Sequence, residues 1–148
     1  LGFIMRGEII WQKSKGANAN FAWGSWLSAS NPVIRDLHEY CLIFSKESFN
    51  RNKDGESTID KEEFMDSTLS IWNILPAKAK KVGHPAPFPE ELVDRFINLY
   101  SYKKELILDP FMGSGTTALA AINSDRKYVG YEVNKEYCEL AAIRIKDR

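Results

Sequence analysis

Apolar and polar positions fall into short blocks along this chain, and the period of those blocks changes from one half to the other. Residues 8–12 (EIIWQ) form a β-prone run, closed by the polar, Gly- and Asn-containing stretch 13–20. Asn31-Pro32 predicts a helix start, since Asn caps well and Pro is tolerated at the first helical position. That helix must be short, because residues 40–45 (YCLIFS) predict a buried strand. Residues 46–63 are the most polar stretch and separate the two halves. Apolar character returns at 70–75 (SIWNIL), and a Pro- and Gly-rich loop bearing Lys78, Lys80 and Lys81 follows.

From Pro89 the spacing becomes helical: Leu92, Val93, Phe96, Leu99 and Tyr100 recur at intervals of three and four, a single apolar face. Glu90 and Glu91 occupy its first turn, where the helix dipole favours them. Residues 106–108 then predict a strand, a Gly-rich loop follows, and 116–122 predict a helix. Residues 128–133 (YVGYEV) predict a second strand ending on Glu132 and Val133. Asn134 predicts the cap of a last helix running to about Lys146. Strand, loop, helix, strand and helix within roughly 40 residues make a βαβα unit, so the fold class is α/β with a parallel sheet and helices packed on it.

The loop 109–117 (DPFMGSGTT) carries the chemistry. Asp109 ends the first strand, at the carboxyl edge of the sheet where such folds bind ligands. Gly113 and Gly115 let the backbone turn tightly and approach a ligand closely, and Ala118 completes a G-x-G-x-x-A spacing. Glu132 stands about 20 residues after Gly113, the separation at which an acid grips ribose hydroxyls in these units. An adenosine-containing ligand is the expectation. A phosphate loop of the Walker type is excluded, because no Gly-Lys-Ser/Thr follows. Nicotinamide dinucleotides satisfy the same spacing, but their loops place Gly where this chain has Asp-Pro-Phe, and a pyrophosphate repels a carboxylate there. Asp109 suits a ligand with a cationic end, and Phe111 offers its ring to a sulfonium. S-adenosylmethionine has both features.

Composition narrows the context without adding a site. In 148 residues, 44% are apolar and 27% charged, as in an ordinary globular domain. Lys plus Arg and Asp plus Glu both count 20, so any nucleic-acid contact must be a local patch. Cys41 and Cys138 both lie in apolar segments and predict buried free thiols, in keeping with a reducing, cytoplasmic environment. No run approaches the ~18 apolar residues of a membrane-spanning helix. Trp11, Trp23, Trp26 and Trp72 are read as core anchors before base-stacking groups.

Taken together the residues resemble the β-group of DNA amino-methyltransferases, which act on cytosine N4 or adenine N6. The resemblance covers nearly the whole chain. It rests on DPFMGSGTT, on HPAPFPEELVDRFINLYS (84–101) and on YVGYEVNKEY (128–137). EIIWQK (8–13), AWGSWLSASNP (22–32) and HEYCLIFSK (38–46) add to it in the same order. It implies a Rossmann-like methyltransferase fold, incomplete on its N-terminal side, with S-adenosylmethionine as cofactor and duplex DNA as partner. It further implies that Asp109, Phe111, Gly113, Gly115, Thr116 and Thr117 surround the methionine part of the cofactor. Glu132 would hold the ribose, and His84, Pro85 and Phe88 would pack over the same site. The family's Ser/Asp-Pro-Pro-Tyr segment does not occur in these residues, so no catalytic residue is assigned. With a first residue that already falls mid-pattern, the chain is expected to be one domain's cofactor-binding portion. Its sheet edge would be left apolar, open to self-association or to a chain carrying the catalytic motif.

The family places its target-recognition insert between HEYCLIFSK and SIWNIL, which here leaves the polar residues 47–69. Arg51, Lys53 and Lys78 are the candidates for phosphate contacts, each individually readable as a solvated charge. The same stretch spaces Asn52, Asp54, Glu56, Thr58, Asp60 and Glu63 like a calcium loop. Ser57 stands at the position that needs glycine, and the preceding segment is β-prone, so no metal is expected. A protein that binds cofactor or DNA without activity, as a split subunit, is the competing functional class.

Overall fold

The computed structural model describes residues 2–13, 34, 36–51, 54–77 and 88–147. The helix start at Asn31-Pro32 lies outside them, as do Trp23, Trp26, Lys53, Lys78, Lys80, Lys81, His84 and Pro85. The described residues form two compact units: 1–49 with 69–75, and 50–68 with 76–148.

The first unit is a three-stranded sheet. Strand β1 (Phe3–Gln12) lies between an antiparallel β2 (His38–Lys46) and a parallel β3 (Ile71–Asn73). β1 starts five residues earlier than the β-prone run 8–12 suggests, because pairing with β2 continues through Phe3 opposite Lys46. The register shifts between Met5 and Gly7. At that bulge Arg6 donates to Ser45 Oγ (3.0 Å) and to the Phe49 carbonyl (2.9 Å), and stands over the Phe49 ring. Ile9, Trp11, Trp72 and Ile74 are the buried residues of this unit, and Trp11 Nε1 donates to the Ile74 carbonyl at 2.8 Å. Trp11 and Trp72 are thus core residues, as expected.

β2 is a strand where one was expected, but it is not buried. Tyr40, Leu42 and Phe44 project from one face and are each at least half exposed. An apolar run signals pairing and a face to cover; it does not specify what covers that face. Cys41, on the opposite face, is partly buried, and burial followed by the nearby Glu39 charge pushes its thiol pKa up.

The second unit carries the βαβα segment. Helix α1 (Lys61–Ser67) is capped by Asp60, whose Oδ1 accepts from Glu63 N–H at 2.8 Å. Helix α2 (Glu90–Tyr100), strand β4 (Leu106–Asp109), helix α3 (Thr116–Asn123), strand β5 (Lys127–Gly130) and helix α4 (Lys135–Lys146) follow. β4 and β5 pair in parallel, with Asp109 beside Gly130. α2 packs Ile97 and Val93 on Ala120 and Ala121 of α3, with Ile107 of β4 completing the cluster. Of the stripe expected, Leu92 is buried, Val93, Phe96 and Leu99 are partly buried, and Tyr100 alone departs from it. Leu92 and Ile97 are the buried residues of α2, and Tyr100 is exposed. The small side chains of α3 admit close approach at 93 and 97, and that contact sets the helix rotation.

Leu106 and Leu108 on β4 are 60% and 59% exposed, an apolar strand face left open in this sheet. No helix among the described residues is long and apolar enough to cross a membrane.

Candidate cofactor site

The loop after β4 is built by local rules. Asp109 ends the strand and its Oδ1 accepts from Phe111 N–H at 3.0 Å, closing a turn through Pro110. The ladder with the chain after β5 continues into the turn: Tyr131 N–H donates to the Asp109 carbonyl (2.9 Å) and Met112 N–H to the Tyr131 carbonyl (2.8 Å). Gly113 and Gly115 have φ of 52° and 82°, left-handed values that other residues adopt at a cost. Gly115 caps α3, and a Cβ there would stand 3.0 Å from the Ala141 Cβ. Met112 lies over Gly130, where a Cβ would collide with its side chain.

Glu132 meets this loop directly. Its Oε2 accepts from Gly113 N–H and its Oε1 from Asn134 N–H, both at 2.8 Å. β5 ends at Gly130, so Glu132 sits beyond the strand and not on it as expected. The ladder stops because the chain must turn into α4, whose N-terminus Asn134 caps by accepting from Glu136 and Tyr137 N–H. Cys138 follows on α4. It is exposed, not buried, with Sγ 3.4 Å from the Glu132 carbonyl.

Asp109, Phe111, Gly113, Gly115 and Glu132 are thus brought together. Phe111 is 87% exposed, with its ring open to a ligand. Thr117 is partly buried and Phe88, two residues before α2, likewise. Thr116 is buried, and its hydroxyl lies 3.5 Å from an Arg144 nitrogen of α4. His84 and Pro85 lie outside the described residues.

Two arginines were not foreseen from sequence. Arg144 donates to the Ser114 carbonyl (2.6 Å) and hydroxyl (3.0 Å). Arg126 is buried; its Nε donates to Ser101 Oγ (3.0 Å), one NH2 group to the Ser101 carbonyl (2.6 Å), and the other to the Ser124 carbonyl. Burial pulls its pKa down, against the opposing charges of Glu105 and Asp125. A positive charge in a segment of alternating polarity carries no mark of such a role.

The candidate phosphate contact Arg51 is engaged by protein. It donates to the Tyr100 carbonyl (2.6 Å) and to both Glu105 carboxylate oxygens (2.6 Å each), over the Tyr102 ring. It borders a cavity of about 530 Å³ with Asp54, Lys103 and Lys104, which does not include the Gly loop. Among the residues spaced like a calcium loop, Asn52 lies outside the described residues, Glu56 pairs with Lys103, whose hydrogen bond and charge hold the carboxyl below its usual range, and Thr58 bonds Asn98 (2.8 Å).

Comparison with known proteins matches this chain to the family N6_N4_Mtase, DNA methylase, over residues 1–143. It is 33% identical over 99% of its length to the type II methyltransferase M.MthZI of Methanothermobacter thermautotrophicus. It is 50% identical over 53% of its length to the orphan methyltransferase M.BamHII of Bacillus amyloliquefaciens. These matches span 44% and 32% of the two relatives, so the chain spans less than half the length of the first. Among solved structures it superposes with a TM-score of 0.78 on a DNA modification methylase of Thermus thermophilus, TTHA0409, complexed with S-adenosyl-L-methionine. The identity there is 29%, over 99% of this chain and 54% of the other.

Proposed function

The chain belongs to the DNA methylase family, and from that premise we propose that it forms the S-adenosylmethionine-binding part of a DNA amino-methyltransferase. The observation that carries this reading is the hydrogen bond from Gly113 N–H to Glu132, which joins the acid to the loop bearing Asp109 and Phe111. A carboxylate held by two backbone N–H groups is oriented before any ligand arrives, and its remaining lone pairs suit ribose hydroxyls. Phe111 presents an exposed ring to a cation, and Asp109 a carboxylate to an ammonium. The residues therefore fit the cofactor's chemistry at each end. S-adenosylmethionine supplies an electrophilic methyl group on sulfur, and the acceptor is the exocyclic amine of cytosine (N4) or adenine (N6) in duplex DNA. The chain's part is to bind and orient the donor; His84, Pro85, Phe88 and Thr117 are assigned to the same pocket by the family resemblance.

We assign residues 47–69 to target recognition, with Arg51, Lys53 and Lys78 as phosphate contacts. One methyltransferase domain, acting in the cytoplasm where its DNA lies, is the organisation this implies. The exposed face of β4 at Leu106 and Leu108 supports packing against a chain segment that carries the catalytic motif.

Calorimetric titration of the 148-residue chain with S-adenosylmethionine and, separately, with NADH tests the cofactor. Binding of the first alone is expected; binding of NADH alone would overturn the reading. Nucleoside mass spectrometry of DNA from cells carrying the gene tests the reaction. N4-methylcytosine or N6-methyladenine is expected, and neither appearing would favour the binding-only class.

A further inference from the structure

The Gly loop meets Glu132 on one side and α4 on another. The α4 residues that meet it share one helical face. Ala141 lies against Gly115, where an added Cβ would also come within 3.7 Å of Ile145 Cδ1, and Arg144 donates to the Ser114 carbonyl and hydroxyl and lies within 3.5 Å of the Thr116 hydroxyl. Spacings of three and four residues place 141, 144 and 145 side by side on a helix.

The Ser114 carbonyl and the Gly115 N–H belong to one trans peptide and point in opposite directions. Arg144 takes the carbonyl at 2.6 Å, and the Met112 carbonyl takes the N–H at 3.0 Å. This peptide is held at both ends. Met112 is itself fixed by its N–H to the Tyr131 carbonyl, and its neighbour Gly113 donates to Glu132. Rotating the 114–115 peptide would release the Met112 carbonyl, which shares a peptide with the Gly113 N–H, and Gly113 has no Cβ to limit the conformations open to it. Ser114 and Thr116 are buried, so solvent does not substitute readily for the guanidinium.

We propose that Arg144 is a positioning residue: from α4 it sets the 114–115 peptide, and through it the Gly113 N–H that orients Glu132. The link to cofactor affinity rests on the reading of residues 109–117 as the cofactor loop; the link to loop geometry does not.

The test uses the full chain with Arg144→Met and Arg144→Lys. Amide hydrogen exchange followed residue by residue reads the loop, and calorimetry with S-adenosylmethionine reads the cofactor. In Arg144→Met the Gly113 and Gly115 amides are expected to exchange about tenfold faster while the α2 and β5 amides stay close to the parent. Cofactor affinity should fall about tenfold, with partial rescue by Arg144→Lys, which keeps the charge but not the fork of donors. Loop amides that keep their protection, or that lose it only in step with every other amide, would overturn the proposal. If Arg144→Met does not fold, Arg144→Lys decides: one ammonium does not reproduce the fork on Ser114, so Gly113 and Gly115 should exchange faster than in the parent, and exchange equal to the parent refutes the role. If the parent chain binds no S-adenosylmethionine, the cofactor reading fails while the exchange data still judge Arg144.

Discussion

Glu132 and Gly113 are joined by a 2.8 Å hydrogen bond from the glycine N–H to Oε2, while the other carboxylate oxygen is held by Asn134 N–H. The acid is a strut of the loop as well as the group proposed to hold the ribose. Glu132→Ala should weaken S-adenosylmethionine binding by about 1–3 kcal/mol, the usual worth of a charged hydrogen-bonding partner. Glu132→Gln keeps an acceptor oxygen and should lose less. Calorimetry on folded variants is the measurement, and unchanged affinity in Glu132→Ala would remove this residue from the site.

Gly115→Ala should destabilise the chain. A left-handed φ costs a residue with Cβ about 1–2 kcal/mol, and the new methyl would press on Ala141, with its Cβ 3.0 Å away. Adding Ala141→Gly relieves the contact but not the backbone strain, so the double variant should recover only in part. Urea unfolding of both variants checks this; a Gly115→Ala midpoint equal to the parent would refute it.

Arg126→Met should cost about 2–3 kcal/mol, because the Ser101 and Ser124 carbonyls lose a charged donor. Arg126→Lys should recover little, since one ammonium does not reproduce a planar fork reaching separate acceptors. Thermal unfolding followed by circular dichroism would show both. A lysine variant as stable as the parent would mean that charge alone matters here.

The two thiols should react differently. Folding raises the Cys41 pKa by burial, with Glu39 adding to it, so the native chain holds less Cys41 thiolate than the unfolded one at the same pH. Its contribution to stability is present at neutral pH and falls as pH rises through the thiol range, where unfolded chains ionise first. Iodoacetamide near pH 8 should label the exposed Cys138 first. Peptide mass spectrometry that found Cys41 labelled as fast would contradict this.

Much of the site was legible because it is written in contiguous residues. Asp109, Phe111, Gly113 and Gly115 belong to one nine-residue loop, 109–117, and their conformations follow from side-chain size and the turn chemistry of Asp and Pro. Asn134 was recognisable as a cap for the same reason. Less legible was where a regular element stops or which way it turns. β5 ends at Gly130 because the chain must enter α4, and α2 buries Ile97 because Ala120 and Ala121 let it approach. An apolar run such as YCLIFS specifies a strand, yet the exposure of Tyr40, Leu42 and Phe44 depends on what lies against them.

By itself, then, the sequence determined the α/β class, the tight Gly loop 109–117 and the helix cap at Asn134, since each depends on local backbone preference and a fixed spacing. Only the tertiary structure decided the roles of the arginines. Arg51 meets Glu105 across 54 residues, Arg144 meets Ser114 across 30, and Arg126 meets Ser101 across 25. A guanidinium on a long, flexible stem carries no local preference for its partner, and the partner is chosen when packing brings an acceptor within reach and removes the water that would otherwise compete.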